Sequence, residues 1–165
     1  MTTSEHAPRI AWPDFERMAP EVPPALRALG KAVDDSGLGK ALTELLKLRV
    51  SQLNGCAYCI QFHLNVARRL GVAAPKLDLV AAWRDAGVFS ARERAALAWA
   101  EALTGMMRAH VCDAVYAEVQ RQFNAGEIAA LTTAVAAINA WNRIAGALQF
   151  APPIPQACSD AGHVA

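Results

Sequence analysis

Residues 44–63 read Glu44-Leu-Leu-Lys-Leu-Arg-Val-Ser-Gln-Leu-Asn-Gly-Cys56-Ala-Tyr58-Cys59-Ile-Gln-Phe-His63, and the reading of this stretch decides the fold and the chemistry together. At about 100° per residue a helix from Cys56 to Leu70 gathers Cys56, Cys59, Ile60, His63, Val66, Ala67 and Leu70 on one face. Gln61, Asn65, Arg68 and Arg69 fall on the other. Asn54-Gly55 turns the chain just before, which puts Cys56 at or next to the helix N-terminus, where free amides and the macrodipole favour a thiolate. His63 lies one turn beyond Cys59 on the same side, close enough to accept the thiol proton or to stabilise the thiolate as imidazolium. A vicinal dithiol so placed can form a thiolate, meet an oxidant and close a disulfide.

A buried free cysteine or an inward histidine taken singly is more often packing than chemistry. Two cysteines at i and i+3 with a histidine at i+7, opening a helix behind Asn-Gly, favour the redox reading. A zinc site is the next alternative and needs a fourth ligand such as Glu44 or His110. Haem attachment needs a histidine directly after Cys59, where Ile60 stands.

Outward from the motif, nearly every segment has helical period and strand signals are absent. After a Pro-rich opening with Pro8, Pro13, Pro20, Pro23 and Pro24, helices are predicted over about 25–33, 39–53, 56–70 and 75–87. Gly71 is placed to cap the third of these. Ser90 with Glu93 and Asn124 with Glu127 read as capping boxes, opening helices to about Met107 and Gln149, with one more from Asp113 to Phe123 between them. Ile128 to Ile138 is apolar almost all round, so the last helix should run through the centre of a bundle. Pro152-Pro153-Ile154-Pro155 cannot continue it. The expected organisation is an N-terminal arm over 1–19, a helical domain over 20–150 and a Pro-containing tail over 151–165.

The chain has 165 residues, 54% of them hydrophobic, with a mean hydropathy of +0.17. That is apolar for a small monomer and points to a homo-oligomer. Sixteen Lys and Arg against fifteen Asp and Glu give a net charge of +1 with no basic block, so nucleic acid is not an expected partner. No apolar leader or membrane span is read, and a cytoplasmic location is expected. In a reducing compartment a paired Cys motif is catalytic before structural, which leaves Cys112 and Cys158 incidental. Trp141, Asn142 and Arg143 read as packing and interface groups. His110 follows a helix end and reads as an exposed loop residue, while His6 and His163 fall in the tails.

The run from Glu44 through Leu48-Arg49-Val50-Ser51-Gln52-Leu53-Asn54-Gly55 to Cys56-x-Tyr58-Cys59-x-x-x-His63 resembles the alkylhydroperoxidase D (AhpD) branch of the carboxymuconolactone decarboxylase family. Ile138-Asn139-Ala140-Trp141-Asn142-Arg143 extends the similarity more loosely. The resemblance implies a compact all-α helical bundle, assembled as a trimer, hexamer or dimer. It implies that Cys56 and Cys59 are the redox pair, with Cys59 attacking a small-molecule peroxide and Cys56 resolving the sulfenic acid. His63 then pairs with a thiol and Glu44 is the far end of a proton relay. Where the best known members carry a relay histidine between the cysteines, this chain has Tyr58, which leaves the relay to a phenol, a water or neither. Neither metal, flavin nor haem is called for, and a lipoylated or thioredoxin-like dithiol protein would be the electron donor. Two other activities stay open: the lyase chemistry that gives the family its name, and redox sensing with little turnover. Read without the resemblance, Glu44 is as easily a solvated surface residue, flanked by Lys40 and Lys47 and projected away from the stripe Leu42, Leu45, Leu46 and Leu53.

Overall fold

The computed structural model describes residues 7–155, and within them the chain forms eight α-helices and no strand. His6, Cys158, His163 and the tail beyond residue 155 lie outside the described residues. The Pro-rich opening holds a helix, α1 (Trp12–Met18), where the sequence suggested only an arm. Pro13 sits in its first turn, where the missing N–H has no intrahelical acceptor in any case, so proline starts this helix instead of breaking it. Pro23 and Pro24 do the same for α2 (Val22–Asp34).

The next two helices are α3 (Lys40–Leu53) and α4 (Ala57–Arg69), joined by a turn in which Gly55 takes φ +65°, a conformation costly for a residue with a Cβ. Gly71 closes α4 at φ +74°. The predicted helix over 75–87 is shorter, α5 (Ala74–Leu79), and passes into a 3₁₀ turn over Val80–Ala82. Both capping boxes form with reciprocal bonds: Ser90 opens α6 (Ala91–Thr104) and Asn124 opens α8 (Ala125–Leu148). Between them runs α7 (Asp113–Gln122).

Helix α3 is the axis of the packing, touching α4, α6 and α8. Leu46 and Val50 face a core shared with Trp99, Leu131, Val135 and Ile138. Leu45 and Leu48 face a second core with Ala67, Val80, Trp83 and Leu97. Because α3 is covered on opposite sides, a polar residue on it is buried unless it finds partners. Glu101 of α6 shows how one is used: it accepts from Arg49 Nε at 2.6 Å, Trp83 Nε1 at 2.9 Å and Arg84 Nη2 at 2.6 Å, tying α3 and the 3₁₀ region to α6. Glu101→Leu is expected to lower unfolding free energy by about 2 kcal/mol, since part-buried donors lose their acceptor. An unshifted urea midpoint, followed by far-ultraviolet circular dichroism, would show that the cluster contributes nothing.

No helix among the described residues is long and apolar enough to cross a membrane.

Candidate functional site

Cys56 is the N-cap of α4, in extended backbone (φ −87°, ψ 96°), and its sulfur accepts from the Cys59 amide at 3.4 Å. This is the position where unpaired helix amides converge. Cys56 is 1% exposed and Cys59 3% exposed, both thiols are free, and the sulfurs lie 2.7 Å apart. One proton can be shared at that separation. The hydrogen bond from Cys59 brings the Cys56 thiol down to about 7, against the opposing effect of burial, with the amides of Cys59 and Tyr58 and the Asn142 side chain helping. Cys59 is pushed up, because it donates to Cys56, is buried, and faces its neighbour's charge. The pair therefore loses its first proton readily and its second with difficulty.

Cys59 borders a cavity of about 360 Å³, and Cys56 does not. The walls are Trp12, Tyr58, Phe62 and Trp141, with Val66 and Ile138 below and Arg27 and Lys40 among the charged groups nearby. Tyr58 stacks between Trp12 and Phe62, at ring separations of 6.3 Å and 6.2 Å. Burial and then the nearby Cys59 raise its phenol, so it keeps its proton at neutral pH. Among the described residues its hydroxyl has no hydrogen-bond partner, so the ring is a wall of the cavity and forms no bonded bridge to Glu44 or the thiols.

Glu44 is buried, at 2% exposure, which corrects the surface reading from helical projection. It offsets the desolvation penalty by pairing twice: Oε2 meets His63 Nδ1 at 2.6 Å and Oε1 accepts from Lys47 Nζ at 2.9 Å. Burial pushes this carboxyl up, but the hydrogen bond and charge of His63, with Lys47, outweigh it and hold it at about 2. An ionised carboxylate accepts, so His63 carries a proton on Nδ1 and Nε2 is left for exchange. The sequence spacing paired His63 with a thiol. In the structure it bonds Glu44, and no hydrogen bond joins it to either sulfur among the described residues, although His63 and Cys59 border the same cavity.

His110 is exposed in the loop after α6 and Cys112 is exposed at the start of α7; neither borders the cavity. Among the described residues no group of three or more His, Cys, Asp or Glu side chains is gathered to hold a metal ion. The sequence reading treated Asn142 as packing, yet at 4% exposure it is hydrogen-bonded to Ser51 and Asn54, and it helps to lower the Cys56 thiol. Its only sequence signal was the 138–143 run.

Helices packed around a central α3, with a CxxC pair at the head of α4, define an all-α protein of the AhpD-like fold. The chain belongs to the carboxymuconolactone decarboxylase family, whose sequence profile matches residues 20–102. It is 32% identical over 134 residues to the uncharacterised protein YdfG of Bacillus subtilis, spanning 81% of this chain and 91% of YdfG. A solved structure from Agrobacterium tumefaciens is similar, with 34% identity and a TM-score of 0.85 over 90% of this chain and 100% of that one. It is a protein of unknown function, with antioxidant defence as AhpD its suggested role. An uncharacterised peroxidase-related protein from Silicibacter follows at 26% identity and a TM-score of 0.68, over 78% of this chain and 68% of that one.

Proposed function

We propose that the protein is a thiol-dependent peroxidase, or disulfide reductase, of the alkylhydroperoxidase type. The observation that carries this reading is a pair of free thiols 2.7 Å apart with Cys59 alone exposed to a mostly apolar cavity. The pair gives its first proton to His63 Nε2, leaving the charge on Cys56, and transfer of the Cys59 proton across the short S–S gap presents that charge on Cys59 at the cavity wall. Cys59 then attacks the distal oxygen of a hydroperoxide. The O–O bond breaks, Cys59 becomes a sulfenic acid, and the departing alkoxide takes a proton from the cavity, for which His63 held by Glu44 is the placed donor. Cys56, a thiol after that transfer, attacks the sulfenic sulfur: the S–S bond forms, the S–O bond breaks, and the Cys56 proton leaves with the hydroxide as water. The sum is two thiols plus one hydroperoxide giving one disulfide, one alcohol and one water. A dithiol donor returns the pair to its reduced state. The related peroxidase-like and antioxidant proteins support the reading, and the exposed Met106 and Met107 suit a chain that assembles with copies of itself.

The test is a thiol count with each cysteine identified by mass mapping. One equivalent of cumene hydroperoxide should consume Cys56 and Cys59 together and leave Cys112 reduced, and dihydrolipoamide should sustain peroxide loss. Intact thiols at 56 and 59 would overturn the proposal. Ring opening or release of CO₂ from a lactone acid would instead assign the lyase chemistry, and stoichiometric oxidation without turnover a sensor.

A further inference from the structure

Within the run over residues 138–143, Asn142 is not used by the chemistry above, and its burial calls for a reason. Helix α8 passes behind Cys56 so closely that a Cβ built on Gly146 would lie 4.0 Å from the Cys56 Cβ. One turn earlier stands Asn142. We propose that Asn142 is a positioning residue for the dithiol, its amide fixed by Ser51 and Asn54 so that an N–H points at the cysteine sulfurs.

Every proton in the surrounding network can be assigned. Ser51 Oγ donates to the Lys47 carbonyl at 2.7 Å, so it can only accept from Asn142 Nδ2 at 3.1 Å. Asn54 Nδ2 donates to Asn142 Oδ1 at 2.8 Å and to Asn139 Oδ1 at 3.0 Å. Asn139 is held in turn, its own amide donating to the Val135 carbonyl at 2.9 Å and Thr104 Oγ1 at 3.2 Å. A flip of Asn142 would set its NH₂ against that of Asn54 and strand the Ser51 contact, so the amide orientation is over-determined. Its second hydrogen is left for the sulfurs, in keeping with the lowering effect of the Asn142 side chain on both thiols. The turn is also tied by its backbone, the Cys56 N–H donating to the Ser51 carbonyl at 3.1 Å. Ser51 thus fixes both the cap and the amide that faces it.

Charged and titratable groups around Cys56 come from several elements. Helix α4 contributes Cys59, Tyr58 and His63, while α3 contributes Glu44 and Lys47, beyond Cys59 on the cavity side. Helix α2 brings Arg27, Lys31 and Asp34 to the cavity rim, and Arg143 of α8 is exposed and bound to Asn139. None of Ser51, Asn54 and Asn142 borders the cavity. The role therefore concerns the sulfurs and not the substrate.

The inference rests on the dithiol being the reacting group, and its test needs no peroxide. The pH dependence of Cys56 alkylation by iodoacetamide, mapped by mass, and the dithiol–disulfide equilibrium against glutathione are measured for wild type, Asn142→Asp and Ser51→Ala, each with a melting curve. Asn142→Asp keeps the shape and the acceptor for Asn54 but replaces the donor with a carboxylate oxygen. It should move the alkylation midpoint up by more than one pH unit, which from a start at about 7 leaves about fivefold less thiolate at pH 7, and make the disulfide harder to reduce. Ser51→Ala keeps the amide and frees it to turn, so both shifts should follow in the same direction and be smaller. Wild-type midpoints and equilibria in folded variants would overturn the proposal. If Asn142→Asp does not fold, Ser51→Ala decides alone by the same criterion. Shifted alkylation without any peroxide turnover would leave this role standing while the peroxidase reading fell.

Discussion

Cys59→Ser is expected to abolish the reaction with hydroperoxide, by on the order of 1000-fold or more, the scale of deleting an enzyme nucleophile. Cys56→Ser is expected to react once and stop. The difference in kind follows from placement: only Cys59 borders the cavity, while Cys56 lies behind it at the helix cap. With the second sulfur gone, a sulfenic acid at position 59 has no thiol within reach and accumulates, readable as one added oxygen by mass and as a dimedone adduct. The greater acidity of Cys56 sets up the competing outcome. If the sulfenic acid is trapped on Cys56 in the Cys59→Ser protein, the thiolate that forms first is also the one that attacks, and the roles are reversed.

Loss of the Glu44 charge should be the largest single change in stability. Its carboxylate, with a side chain 3% exposed, satisfies both His63 and Lys47, and Glu44→Gln leaves Lys47 with a weakened partner in a part-buried site. A carboxyl held at about 2 in the folded chain and near 4.5 when unfolded binds its proton more readily in the unfolded state. Its contribution is complete above pH 4.5, on the order of 3 kcal/mol, and is lost as pH falls from there through 2. Urea unfolding of wild type should therefore weaken across that window, and the gap between wild type and Glu44→Gln should close. Glu93, Glu101 and Glu127 are also lowered, so the difference between the two proteins, and not the wild-type curve, isolates Glu44. A gap independent of pH would place the effect in packing.

The helical architecture was legible wherever local chemistry governs it. The two capping boxes, the Gly71 cap and the apolar centre of α8 are signals contained within a few residues, and each appears at its expected place. The inward face of α4 was legible through Cys59, His63 and Ala67, which are buried, but not at its end, where Leu70 is 45% exposed. Glu44 stayed open between surface and site because helical projection follows a single buried face, and α3 lies between two cores. Asn142 depends on α8 passing the cap of α4, a proximity between residues 86 apart in sequence that no periodicity encodes. Pro13 defeated the reading for a simpler reason: a proline that starts a helix and one that ends it look alike until the preceding residues are placed.

One wall of the cavity that Cys59 borders comes from the seven-residue helix α1. Helix α1 has no buried residue, and its approach is tied by the amides of Arg9 and Ile10 to the Leu148 carbonyl. Trp12 of that helix lies against Tyr58, Trp141 and Phe150, while the Pro153 carbonyl is held by Asn65. Segments of this kind open at low free energy while the bundle stays folded. A dithiol donor protein of the kind proposed above, too large to enter the cavity, would reach the almost wholly covered sulfurs through such an opening, and the rate of reduction would then carry the stability of α1 within it, whereas a small hydroperoxide would not have to wait.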